Sequence, residues 1–187
     1  GEGIDFLFRG LEPLGVPNVA TVMPDSLFGR YKGGDSARAR LLAIAASHAD
    51  YVDLNKEMAP GEFGECMKAV AEGGARPIIS WHSDRMLGIE EMRRFLSSVE
   101  AGACATFKIV MPASRFEDNL AALGACSSLA GHSRIVFCCG WEGRISRILS
   151  PFFGSEWAYA SLAEGKEAAP GQVDIKTMRR VQEVFSQ

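Results

Sequence analysis

The sequence lacks the marks of several large functional classes. No apolar run approaches the ~18 residues that a membrane-spanning helix needs. Basic residues (20) and acidic residues (23) nearly balance, for a net charge of −3, and Lys and Arg are scattered rather than striped. That argues against a nucleic-acid partner. There is no Cys-x-x-Cys pair and no Cys/His ligand spacing, so no metal site is expected. The segment Gly29 to Gly34 has neither Gly-x-Gly-x-x-Gly nor the Walker Lys-Ser/Thr, so no nucleotide cofactor is expected either. No Pro/Gly/Ser-rich linker or low-complexity stretch divides the chain, and a single domain over residues 1–187 is expected. No signal peptide is visible, though Gly1 is not a natural initiator and the start of the chain says little. The five cysteines are odd in number. Cys138 and Cys139 are adjacent in an apolar run, where a strand would point them to opposite faces. They are read as reduced thiols packed as small hydrophobes, which favours a cytoplasmic location.

What is present is a globular composition, 47% hydrophobic and 23% charged, arranged as apolar runs alternating with helical stretches. Candidate strands are Ile4–Arg9, Asn18–Met23, Asp50–Leu54, Pro77–Trp81, Thr106–Met111, Ile135–Gly140 and Trp157–Leu162, the last weakest by composition. Ser36 is placed to cap a helix carrying Leu41, Leu42 and Ala45. Phe63, Met67 and Val70 lie at helical spacing before Gly73-Gly74. Ile89, Met92, Phe95, Leu96 and Val99 give the clearest period, ending at Gly102. Phe116, Leu120 and Leu123 precede Gly124, and Met178, Val181 and Phe185 line a C-terminal helix. Strand alternating with helix predicts a parallel α/β sheet, either open and doubly wound or closed as a (β/α)8 barrel. The open form usually carries a Gly-rich phosphate loop after its first strand, and none is found. Seven candidate strands leave about 27 residues per unit, compact beside a barrel's usual total of about 250 residues. A barrel here lacks one strand, most naturally the first, before Gly1.

In parallel α/β proteins, functional side chains gather at the C-terminal ends of strands. Lys108 stands out there, inside a strand among Phe107, Ile109, Val110 and Met111. A buried amine loses its proton more readily, and a neutral amine is what Schiff-base chemistry needs. The plain alternative is a lysine snorkelling out or paired with a carboxylate. His82, one of three histidines, follows an apolar run and suits proton transfer; the alternative is a hydrogen-bonded structural histidine. His48 and His132 read as solvent-facing. Arg147 follows the glycines of Gly140-Trp141-Glu142-Gly143 and can fork onto a carboxylate or make a surface pair with Glu142. Gln172 follows a Pro-Gly turn that sets its amide near a pocket mouth.

Read together and in order, these segments resemble type I 3-dehydroquinate dehydratase. The resemblance rests on Ser80-Trp81-His82, Lys108-Ile109-Val110-Met111-Pro112 and Gly140 to Arg147. It also rests on Phe153-Gly154-Ser155, Ala168-Ala169-Pro170-Gly171-Gln172 and the strand Asp50-Tyr51-Val52-Asp53-Leu54. It implies a (β/α)8 barrel hydro-lyase of the shikimate pathway, a cytoplasmic homodimer needing no cofactor. Lys108 would form a Schiff base with 3-dehydroquinate, and His82 would move protons. Arg147 would bind the carboxylate and Gln172 a hydroxyl.

The N-terminal half departs from the family pattern. The family's Glu-x-Arg strand corresponds to Leu7-Phe8-Arg9, keeping Arg9 as a substrate contact and losing the acid. Its Thr-x-Arg corresponds to Thr21-Val22-Met23, losing the arginine. No acid lies between Ser26 and Gly34, where the family supports its histidine; Asp25, Arg30 and Lys32 are candidates for a rebuilt hydroxyl recognition. Each lost hydrogen bond to a charged group is worth about 1.5–3 kcal/mol. Two alternatives follow: a barrel relative that binds dehydroquinate-like ligands but turns over poorly, or a Schiff-base lyase or aldolase on another keto acid. For the last, Lys56 is a conceivable second lysine, though it reads as a surface residue.

Overall fold

The computed structural model describes residues 2–27, 29–98 and 105–186. Val99, Gly102 and Cys104, which figure in the sequence reading, lie outside them. The five strands follow one another in the order β1-β2-β3-β4-β5. They are β1 (Val19–Thr21), β2 (Tyr51–Asn55), β3 (Arg76–His82), β4 (Thr106–Pro112) and β5 (Arg134–Cys139). Contacts group the chain into two compact units. Of the described residues, one holds those within 1–80 with 105 and 106, and the other holds 81–98 with 107–186.

In the first unit, β1 and β2 pair in parallel with Thr21 beside Asp53, and β2 pairs β3 with Asn55 beside Ser80. Val52, Leu54 and Ile79 are fully buried. Helices α2 (Asp35–Ala45) and α3 (Pro60–Gly73) pack together, and the Cys66 thiol donates to the Ala39 carbonyl at 3.5 Å. Helix α3 stops at Gly74, whose φ of 78° suits glycine. Helix α2 starts one residue before the expected cap; Gly34 occupies that position, and Ser36 instead accepts a bond from Arg40.

The expected strand Ile4–Arg9 is a helix, α1 (Glu2–Leu11). Its apolar residues alternate, but Ile4, Phe8 and Leu11 also fall on one helical face. Glu2 and Asp5 in the first turn, with Arg9 in the last, complement the helix dipole. Phe8 is buried and stacks on His48 at 5.6 Å, while Asp5 meets the same imidazole at 2.9 Å.

In the second unit, β4 and β5 pair in parallel with Lys108 beside Ile135 and Val110 beside Phe137. Helices α4 (Ile89–Ser98) and α5 (Glu117–Ser128) contribute buried Met92, Leu96, Ala122 and Leu123. Helix α5 runs through Gly124, and its Phe116 and Leu120 flank lies exposed. Helices α6 (Arg144–Leu149) and α7 (Ile175–Phe185) share a core of Ile148, Val173 and Met178. Asp174 caps α7 by accepting from the amides of Lys176 and Thr177.

The expected strand Trp157–Leu162 is also corrected. Glu156 N bonds Arg134 O at one end, and Ser161 makes an isolated bridge to Asp174 at the other. Trp157 and Tyr159 use their alternation to pack on an apolar face rather than to extend a ladder.

Candidate active site

The ends of β3 and β4 present opposite faces. Trp81 meets Phe95 of α4 edge-on at 5.3 Å, and Phe95 meets Phe107 at 5.7 Å. Those strand residues face the helix, so the period of two turns His82 and Lys108 to the other side. Ser83 N donates to Val110 O at 2.9 Å, the bond a parallel ladder makes when His82 lies beside Val110. Lys108 therefore sits one strand over and two residues back from His82. That is a backbone offset of roughly 6.6 Å along and 4.8 Å across.

Lys108 shares its face with Val110, Ile135, Phe137 and Cys139, against which Trp157 and Tyr159 pack. The lysine is only 8% exposed, and its ammonium nitrogen lies 5.2 Å from the centre of the Tyr159 ring. Tyr159 in turn meets Phe137 at 6.1 Å and Trp157 at 6.5 Å. The Arg147 guanidinium covers the Phe137 ring at 4.4 Å. One aromatic cluster thus carries a basic side chain at each end.

Arg147 is 2% exposed. Its Nη2 donates to Pro170 O at 3.4 Å, while its buried Nε has no hydrogen-bond partner among the described residues. Burial pulls its pKa below the ordinary guanidinium value. Among the described residues it has no carboxylate partner, Glu142 included. A buried charge of this kind is costly unless an anion joins it. The geometry leaves donors for a small carboxylate.

Glycines bring the surrounding loops close. Gly171 has φ 76°, and a Cβ there would overlap the Gly140 carbonyl; Gly140 N reaches Pro170 O at 3.3 Å. A Cβ at Gly143 would stand 2.5 Å from Cys139 O. The Ala168–Gln172 loop therefore lies against the end of β5. The Gln172 amide oxygen is turned back onto this loop, accepting from Ala168 N at 2.8 Å.

The remaining candidates lie elsewhere. Arg9 is exposed on α1, so neither it nor Leu7 occupies the strand position the resemblance assigned. Lys56 is exposed, 3.7 Å from the Glu57 carboxylate. Asp25, Arg30 and Lys32 are exposed, as are His48 and His132. The four described cysteines are buried free thiols, and burial pushes Cys138 up to about 11. Neither Tyr159 nor Asp53, a buried carboxylate on β2, is among the site residues singled out from the sequence. Asp53 carried the signal used for Lys108, a charge inside an apolar strand.

Comparison with known proteins decides the family. The family model for type I 3-dehydroquinase matches residues 8–187. The chain belongs to the type I 3-dehydroquinase family. Among curated relatives, 3-dehydroquinate dehydratase of Methanococcus maripaludis strain C7 is 31% identical over 183 residues, covering 95% of this chain and 81% of the relative. That of Syntrophobacter fumaroxidans is 28% identical over 189 residues, covering 98% and 79%. Among solved structures, the type I 3-dehydroquinate dehydratase of Clostridium difficile superposes with a TM-score of 0.82 at 21% identity, covering 97% of this chain and 74% of that one. The Aquifex aeolicus enzyme gives 0.78 at 22%, covering 100% and 82%. The fold class of this 3-dehydroquinase-family chain is the (β/α)8 TIM barrel, seen here as parallel strands with intervening helices.

Proposed function

We propose that this chain is a 3-dehydroquinate dehydratase working through a Schiff base on Lys108, with residues 1–187 acting as one catalytic domain. The family match over residues 8–187 supports the activity. The observation that carries the mechanism is Lys108, a buried amine on an aromatic-lined face shared with His82. The neutral form of this amine is the nucleophile. The Lys108 nitrogen adds to the substrate ketone, and loss of water gives an iminium. The iminium draws electrons from the neighbouring carbon, and His82 takes the proton released there. The resulting enamine expels the hydroxyl from the next carbon, with His82 returning the proton so that water leaves. A second water hydrolyses the imine, freeing 3-dehydroshikimate and restoring the amine, for a net loss of one water. Arg147 holds the carboxylate, which supplies the anion its buried guanidinium lacks. Gln172 meets a hydroxyl through its amide nitrogen, since its oxygen is engaged in the loop. Arg9 has no part in this assignment. The homodimer rests on the resemblance alone, and the cytoplasmic location on the resemblance and on the cysteines read as reduced thiols.

A second reading keeps the binding site and loses turnover. It is favoured by Met23, by the absence of acid in residues 26–34, and by the exposure of Asp25, Arg30 and Lys32. Turnover of 3-dehydroquinate read by the enone absorbance of the product separates the two. The dehydratase reading expects product formation that falls at least ~10⁴-fold in Lys108→Ala, as when a covalent nucleophile is removed. Calorimetric binding without any absorbance change would establish the second reading instead.

A further inference from the structure

We propose that Asn119 is a positioning residue for the substrate carboxylate, acting through Arg147. The inference rests on the reading of Arg147 as the carboxylate-binding residue. Asn119 sits in the first turn of α5 with no exposed surface. Its Nδ2 donates to Phe116 O at 3.1 Å and to Glu142 O at 2.7 Å, and its Oδ1 accepts from Ser146 N at 2.9 Å. Two carbonyls facing one end of the amide and an N–H facing the other fix which atom is oxygen.

Two of those partners belong to another βα connection. Glu142 lies in the turn after β5, and Ser146 lies in α6 one residue before Arg147. Ser146 carries the tie onward: its hydroxyl donates to Gly143 O at 3.0 Å and accepts from Cys138 N at 2.9 Å. The end of β5, the glycine turn and the start of α6 are thereby held by one buried amide. Helix α6 has six residues, too short to be stable by itself. Its early N–H groups have no acceptor within the helix, and Asn119 provides one.

Few polar groups orient Arg147: among the described residues no carboxylate pairs with it, Pro170 O is at 3.4 Å, and the Phe137 ring covers one face. The direction of its side chain is set by the backbone of α6. A tilt of about 10° in that helix would swing a guanidinium reaching roughly 6 Å by about 1 Å, and a misplacement of that size costs up to about a hundredfold. Asn119 therefore governs binding of the carboxylate without touching it.

The test is steady-state kinetics on 3-dehydroquinate for Asn119→Val, Arg147→Ala and the double variant, with melting curves in parallel. Asn119→Val is expected to raise KM about tenfold, equivalent to about 1.4 kcal/mol, with kcat changed less than about threefold. In the Arg147→Ala background it is expected to add no further rise in KM, because its effect passes through the missing side chain. An unchanged KM, a loss confined to kcat, or full additivity with Arg147→Ala would overturn the proposal. If Asn119→Val does not fold, Asn119→Asp keeps the shape and the Ser146 acceptor but loses the donor to Glu142 O, and the same KM criterion applies to it. Failure of the parent protein to turn over substrate would instead bring down the dehydratase reading.

Discussion

Among the described residues, buried side-chain amides and hydroxyls tie backbone segments together around β4 and β5, and those of the N-terminal unit do so less. Around β4 and β5, Asn119 has partners on both amide ends, Ser146 bridges three backbone segments, and the Ser155 hydroxyl accepts from Val136 N at 3.1 Å. Among the described residues, Asn18 Oδ1, Arg38 Nε, Asn55 Oδ1 and Ser80 Oγ of the N-terminal unit are buried without hydrogen-bond partners, as are Arg147 Nε and Ser150 Oγ of the C-terminal unit. Buried polar groups are ordinarily paired, and complete pairing fixes a single arrangement. The region tied in this way carries Lys108, His82 and Arg147. Under the proposed function, the open Arg147 Nε lies where the substrate carboxylate binds.

Several variants would break or sharpen this contrast, beginning with the largest. Gly143→Ala forces a methyl onto the Cys139 carbonyl and is expected to destabilise by about 3 kcal/mol or more. Gly64→Ala, mid-helix in α3 with open space around it, is expected to stabilise by up to about 1 kcal/mol. Denaturant melts of the two should move in opposite directions; matching shifts would mean that the turn after β5 is not tightly packed.

A smaller difference is expected between two serines. Ser146→Ala strands the Cys138 amide and should cost about 1–3 kcal/mol, whereas Ser80→Ala removes a hydroxyl without a partner and should change stability by less than about 0.5 kcal/mol. Equal losses on urea unfolding would erase the contrast between the units.

The smallest effect is electrostatic. Arg85 and the Gly88 amide hold the Glu91 carboxyl down to about 2. A depressed carboxyl stabilises the fold above its ordinary value, and the gain is lost as pH falls through about 2. The melting-temperature gap between parent and Glu91→Gln should be constant above about pH 5 and close toward pH 2. A gap that widens on acidification would refute the pairing. Because the pair is exposed, added salt should shrink the gap.

Much of the fold was legible in the sequence because β2, β3, β4 and β5 are apolar runs bounded by turns, which admit one interpretation. The segment Ile4 to Leu11 admits two: Ile4, Phe6 and Phe8 alternate as in a strand, while Ile4, Phe8 and Leu11 repeat as in a helix. Packing on His48 decides for the helix, and a single sequence does not display that contact. At the site, Lys108 was visible as a charge where only apolar residues belong. Asn119 was not, since an asparagine at a helix start is commonplace until a second loop is folded against it. Tyr159 was hidden for a similar reason, because an aromatic residue in an apolar run announces a core before it announces a wall for an amine.

Mass spectrometry after borohydride reduction tests the central claim most directly. Protein mixed with 3-dehydroquinate and reduced is expected to gain one covalent adduct, mapped by peptide digestion to Lys108 and absent from Lys108→Ala. An adduct on Lys56 or another lysine, or normal turnover with no adduct at all, would contradict the account.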